Sequence, residues 1–302
     1  MNGKINNFQQ IASATRYQIT SGKEAGLNVI DCNNGVIRFL LNESKGLDIM
    51  QLYHNGTNIS FLSKNAFVDS TLPFLNRFEG GMLYTCGLDN IGEHEGYEMH
   101  GTYHLLKSSV TKVECDENGI LVEAIIVDGA LFGKNLVVKR KVTSAINSNT
   151  VRVEDTLMNK AYVPGEYCVL YHVNLGYPML DEGAKIIADV KGFEPHTEWA
   201  RENIEKALII EEPVAGKEET CYNLILNDPT VSVVNDKLKK KFTIKYSKDT
   251  LPCFVEWKSM AAGDYALGLE PTTTHIYEGF KYNTIDAGES VNFFIEMTVE
   301  NI

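Results

Sequence analysis

Apolar and polar residues alternate along most of the chain, the period of a strand with one face buried. Residues 36–41 form a short apolar-rich run, Lys45-Gly46 marks a turn, and residues 47–53 return in extended pattern. That return ends at Asn55-Gly56, a dipeptide suited to a tight hairpin. The rhythm recurs through the middle. Asp116-Glu117-Asn118-Gly119 separates Val113 from residues 120–127, Gly133-Lys134-Asn135 precedes residues 136–142, and Asn147-Ser148-Asn149 precedes a clean alternation over residues 151–156. Residues 242–246, 254–257 and 291–299 read as strands rich in β-branched and aromatic side chains. Helical pattern is confined to the stretch after Pro195, including residues 199–207, and a weak turn near residues 5–12. Many short strands punctuated by turn signals predict an all-β sandwich or barrel. No Gly/Ser- or Pro-rich linker divides the chain, so one domain over residues 1–302 is expected.

Composition narrows the partners. The net charge is −12, from 40 acidic and 28 basic residues. Such a surface repels phosphate backbones and anionic lipid, which argues against nucleic acid and membrane and favours a neutral or cationic small molecule. The six cysteines are far apart with no CxxC pair, a spacing unlike a zinc knuckle, a redox dithiol or a disulfide scaffold. No apolar run follows Lys4, and none reaches the ~18 residues of a membrane span. A reduced, cytoplasmic protein is the expectation.

The stretch 77–104 departs from the strand rhythm. It holds Gly80, Gly81, Gly87, Gly92, Gly96 and Gly101, and glycine at that density means tight bends or close backbone approach. Arg77 opens it, a planar fork of donors able to hold vicinal hydroxyls or a carboxylate. His100 and His104 lie four apart near its end, and Gly101-Thr102-Tyr103 between them favour a strand that would put both on one face. A buried structural histidine beside an exposed one is the alternative. His172 follows an apolar run from Tyr167 and precedes Asn174, Gly176 and Pro178, so it reads as a strand-end histidine, either core or acid–base. Glu270 closes the apolar strand Tyr265-Ala266-Leu267-Gly268-Leu269. A buried carboxylate there would have its pKa raised toward the range of a general base, whereas a solvent-exposed one would be unremarkable.

Six segments occur in a telling order. They are Gly46-Leu47-Asp48-Ile49, the run 78–90 (Phe-Glu-Gly-Gly-Met-Leu-Tyr-Thr-Cys-Gly-Leu-Asp-Asn), Met99-His100-Gly101, residues 171–178 (Tyr-His-Val-Asn-Leu-Gly-Tyr-Pro), Gly268-Leu269-Glu270-Pro271, and Asp286-Ala287-Gly288-Glu289-Ser290. Over nearly its whole length the chain resembles the galactose-mutarotase-like superfamily, and within it the bacterial aldose 1-epimerase-related branch grouped as DUF4432. The resemblance implies a large antiparallel β-supersandwich with few short helices and a sugar cleft on one face. It implies anomer interconversion of a free aldose, with Glu270 as base and His172 as acid. His100 would hold the ring oxygen or C1 region, Arg77, His104 and Asp89 would contact the sugar, and no metal or organic cofactor would be required. Relatives carry a His-Gly-x-x-Arg pattern where this chain has Thr102-Tyr103-His104, a change that bears on which sugar is used.

Other readings stand beside this one. A carbohydrate-binding protein without turnover would keep the cleft and lose the chemistry. A metal-dependent sugar isomerase would use Glu98, His100, His104 and His172 as ligands, although the paired HxH of that class is absent. A polysaccharide lyase usually adds a helical domain, and none is readable.

Overall fold

The computed structural model describes residues 3–68 and 72–302. Five strands, β1 (Ser13–Gln18), β2 (Asn28–Asn33), β3 (Ile37–Asn42), β4 (Asp48–His54) and β5 (Thr57–Asn58), pair antiparallel in chain order. The turn between β4 and β5 is the predicted one, with Asn55 at φ 50° and Gly56 at φ 80°. Thirteen strands make the second sheet. They are β6 (Leu83–Leu88), β7 (Ser108–Asp116), β8 (Gly119–Gly129), β9 (Asn135–Ser144), β10 (Thr150–Asn159), β11 (Gly165–Leu175) and β12 (Lys185–Pro195). The rest are β13 (Thr220–Asn235), β14 (Lys240–Tyr246), β15 (Cys253–Ala261), β16 (Asp264–Thr272), β17 (Asn283–Ile285) and β18 (Ser290–Asn301). The spatial order is β17-β11-β16-β15-β13-β14-β18-β10-β9-β8-β7, with β12 beside β13 and β6 beside β11.

The alternation read from the sequence shows plainly in β10, where every second residue is buried. Its inward side chains meet the smaller sheet. Phe39, Leu41, Ile49 and Leu52 pack in one cluster with Val122, Val138, Val153, Val173 and Leu269. A second cluster forms on the opposite face of the large sheet, where Tyr84, Cys168, Leu170 and Val255 lie under Phe74, Ile91 and Ile276 from the connecting loops. Strands β6, β11 and β16 are thus buried on both faces and carry near-continuous apolar runs instead of alternation.

The sequence pattern marks no strand at β1, β2, β12 or β17, nor at two that matter for the site and its sheet, β6 and β13. β6 sits inside the glycine-rich stretch as a fully buried strand. β13 contains Asn227-Asp228-Pro229, residues that break a strand pattern. They fall where β13 leaves one neighbour for another, since residues 220–223 pair with β15 and residues 230–235 with β14. Helix is limited to short pieces, α1 (Phe74–Arg77) and α2 (Glu198–Glu202), the latter capped by Thr197 Oγ1 accepting from the Ala200 N–H. A 3-10 turn at Ile204–Lys206 completes the helical stretch expected after Pro195. No helix among the described residues is long and apolar enough to cross a membrane.

One buried ionic network joins the layers beneath the second cluster. Arg140 on β9 donates to both oxygens of Asp155 (2.9 and 2.7 Å), to Asp48 of the small sheet (2.5 Å) and to Thr85 of β6 (3.0 Å). The Tyr171 hydroxyl donates to Asp155 at 2.7 Å. Buried charges persist only when paired and hydrogen-bonded in this way. Thr85 and Tyr171 are thereby fixed, and each precedes or follows a residue facing the other side: Tyr84 and His172.

Candidate active site

Strand register assembles the site. β11 pairs with β6 so that His172 lies opposite Tyr84. It pairs with β16 in a register (Val173↔Leu269, Asn174↔Gly268) that sets His172 opposite Glu270. His172 Nε2 is 3.1 Å from Glu270 Oε1, and the two residues are 4% and 1% exposed. The sequence suggested strand-end positions, but both residues sit inside their strands and are buried by the loops above. The contact is within ion-pair distance yet lacks hydrogen-bond geometry: Glu270 Oε1 and His172 Nδ1 are both buried without a partner.

The environment sets the charge of this pair. Burial raises the Glu270 carboxyl well above its ordinary value, and the nearby carboxylates of Glu219 and Glu256 add to the rise. Burial lowers His172 well below its ordinary value; His100 lowers it further, and the Asn174 side chain opposes the shift. Both effects favour the uncharged forms. We therefore treat the resting pair as neutral, despite its ion-pair distance.

His100 reaches the pair from a turn. It adopts φ 62° and is followed by Gly101 at φ 73°. A Cβ on Gly101 would lie 2.4 Å from the carbonyl oxygens of both Gly87 and Asn90, so only glycine fits after this histidine. The Gly92 N–H donates to His100 Nδ1 at 3.3 Å, which assigns the ring proton of neutral His100 to Nε2. Burial pushes the His100 pKa down to about 4, so the ring is neutral. Its centroid lies 5.6 Å from that of His172, at 81°. Asp89 accepts from the Thr102 N–H at 3.0 Å and from its hydroxyl, and so anchors the turn that carries His100.

The strand expected over residues 100–104 is absent, and the physical reason is the left-handed backbone at His100 and Gly101. A 3-10 turn at Tyr103–Leu105 follows, and His104 diverges from His100. Its ring stacks on Tyr84 at 4.5 Å and 28°, with Nε2 against the Arg77 guanidinium. Arg77, 2% exposed, also donates to the Leu72 carbonyl at 2.8 Å and pairs with Glu98. His100, His172 and Glu270 thus converge, while Arg77 and His104 are buried against Tyr84, with Glu98 paired to Arg77, and Asp89 lies apart from them under the Thr102 end of the turn. The set Glu98, His100, His104 and His172 does not converge, because Glu98 and His104 both turn to Arg77. Among the described residues no group of three His, Cys, Asp or Glu side chains is placed to share a metal ion.

Three participants escaped the sequence reading. Phe78 and Trp257 rings lie 5.5 and 5.6 Å from the His172 ring, and 6.4 Å from each other at 89°. Both border an open cavity of about 470 Å³ that also touches Glu219, Lys217 and Asn76. Trp257 is held by its Nε1–H donating to Glu219 at 2.7 Å. The third is Gly268. A Cβ there would lie 2.3 Å from Glu270 Oε1 and 2.9 Å from His172 Cε1. The available signal was spacing: Gly268 and Glu270 are two apart on one strand and share a face. A separate groove of about 630 Å³, on the outer face of β8–β10 and β18, contains none of these residues; its Lys141, Arg152 and Glu154 pair among themselves.

Comparison with known proteins identifies the fold and the family. No curated protein matches the chain by sequence. A candidate aldose 1-epimerase from Klebsiella pneumoniae superposes with a TM-score of 0.88 at 19% identity, over 97% of this chain and 86% of that one. A galactose mutarotase-like protein from Clostridium acetobutylicum gives 0.72 at 14% identity, over 97% and 100% of the two chains. A galactose 1-epimerase from Lactobacillus acidophilus gives 0.65 at 13% identity, over 96% and 99%. These likenesses establish the galactose-mutarotase-like β-sandwich. The model of the domain of unknown function DUF4432 matches residues 24–294, and the chain belongs to that family.

Proposed function

We propose that this protein is an aldose 1-epimerase, interconverting the α and β anomers of a free aldose with Glu270 and His172 as its acid–base pair. The observation that carries the reading is their direct cross-strand contact at 3.1 Å, buried, with unpartnered Glu270 Oε1 and His172 Nδ1. Mutarotation needs one group to take the C1 hydroxyl proton and another to protonate the ring oxygen, both within ~3 Å of one sugar.

In the reacting form one proton has passed from Glu270 to His172 by way of the bound sugar's hydroxyl, because the resting contact has no hydrogen-bond geometry of its own, and the pair is then carboxylate and imidazolium. From that form Glu270 takes the C1 hydroxyl proton, the C1–O bond to the ring oxygen breaks as the C1 carbonyl forms, and His172 protonates the ring oxygen. The pair is then neutral, the state that burial favours, while the open-chain aldehyde rotates about C1–C2. Reclosure on the other face runs the same transfers backward. His100 Nε2–H donates to the ring oxygen or C1 region, and Phe78 and Trp257 shield the pair from bulk water. Arg77 and His104 support the Tyr84 ring from behind, and Asp89 holds the turn that presents His100.

The test is magnetisation transfer between anomers by NMR on freshly dissolved sugars, with Glu270→Gln beside the parent. The parent should exchange anomers and the variant should lose that exchange while still binding sugar. If parent and variant exchange equally, the epimerase reading fails; sugar binding without exchange by the parent means a carbohydrate-binding protein.

A further inference from the structure

The row that holds His172 and Glu270 continues across the large sheet. Glu270 lies opposite Val255, Val255 opposite Asn223, and Asn223 opposite Glu194. The adjacent row on the same face runs Gly268, Trp257, Cys221. It ends at His196, whose N–H donates to the Cys221 carbonyl at 3.0 Å. Two strand spacings, ~10 Å, separate Glu270 from Asn223. Trp257 and Cys221 between them are only half-buried, which leaves a path over that row.

At the far end lies a second polar site. A cavity of about 560 Å³ is lined by Asn223, His196, His275, Glu194, Tyr277 and Arg201, among others. Asn223 is 6% exposed, and its Oδ1 has no hydrogen-bond partner. Both ring nitrogens of His196 are likewise buried and make no bond of good geometry, although the Asn223 side chain lies close enough to oppose the lowering of the His196 pKa by burial. Asn223 Nδ2 lies 2.7 Å from His275 Nδ1 and 3.4 Å from Glu194 Oε2, and the Tyr277 ring meets that of His196 edge-on at 4.8 Å. Buried polar atoms are rarely left unsatisfied without a ligand or water to meet them.

We infer that this second site binds the non-reducing ring of a reducing disaccharide whose anomeric end lies at His172 and Glu270. The inference rests on the proposed role of that pair. An amide, two imidazoles and a carboxylate offer donors and acceptors together, which suits hydroxyls that do both. An anionic group would meet the carboxylates of Glu194 and Glu278. Trp257 on the path gives a flat apolar surface for the face of the reducing ring as it leads to the glycosidic bond.

The experiment compares kcat/KM for anomer exchange of glucose with that of maltose, cellobiose and lactose, which share a glucose reducing end. At least one disaccharide should exceed glucose by about tenfold, because remote binding energy is expressed in turnover. Asn223→Leu, and independently the more exposed His275→Ala, should erase that advantage and leave the glucose value unchanged. Equal efficiency for glucose and all three disaccharides overturns the inference and leaves the epimerase standing. Loss of glucose and disaccharide turnover in equal proportion in His275→Ala also overturns it. If no sugar exchanges, but saturation-transfer difference NMR shows disaccharide binding that needs Asn223, the second site stands and the epimerase reading falls.

Discussion

Gly268 stands where any side chain would strike the Glu270 carboxylate: a Cβ there comes within 2.3 Å of Oε1 and 2.9 Å of His172 Cε1. Its backbone is not in the left-handed region, so alanine is tolerated by the main chain and rejected only by the site. Gly268→Ala should fold normally and lose about 10²-fold in exchange rate, the cost of a displacement near 1 Å at a reacting group. A thermal melt beside the exchange assay checks this, and a fully active Gly268→Ala would contradict the assigned position of Glu270.

Gly101→Ala should behave in the opposite way. Its φ of 73° is costly for an L-residue, and the oxygens 2.4 Å from the added methyl belong to the backbone. We expect a loss of about 2 kcal/mol or more in stability, read from the urea midpoint, with activity falling because the turn under His100 is lost.

Glu270→Gln and His172→Asn should each lower the exchange rate by ~10²–10⁴-fold. The double variant should be little worse than the poorer single one, because groups that pass one proton between them act as a unit. Multiplicative losses in the double variant would show that the two act independently.

The pH dependence of stability should change in His100→Gln. Folded His100 titrates near 4, whereas the unfolded chain takes up that proton near 6.5. Between those values the unfolded state holds more protons, so this residue removes stability as pH falls from 6.5 toward 4. The difference amounts to about 3 kcal/mol at most. His100→Gln should therefore be relatively more stable than the parent at pH 4.5 than at pH 7.5, by denaturant titration. The same difference at both pH values would mean that His100 is not held neutral by burial.

Much of this was readable from the amino-acid order, for a reason visible in the residues themselves. His172 and Glu270 stood out because each ends an apolar run, where a polar side chain needs a purpose; that their strands are buried on both faces was visible only in the structure. The left-handed turn at His100 was invisible to a search for period two, since alternation carries no information on the sign of φ. β6 was hidden for the same physical cause that makes it central: buried on both faces and bent by Gly87, it has no polar side to alternate. Trp257 and Gly268 are parts of ordinary-looking strands, and only the pairing of β15, β16 and β11 shows that they border one space.

Because His172 and Glu270 meet through the pairing of β11 with β16, their separation is set by main-chain register and hardly at all by side-chain reach. A slip of one residue would bring Leu269 or Pro271 opposite His172 and turn the carboxylate toward the other layer. Such a molecule would keep its strands and its circular dichroism while being chemically mute. Recovery of anomer exchange after dilution from denaturant is therefore a proofreading assay, counting the molecules that zipped these two strands correctly and ignoring those that merely collapsed.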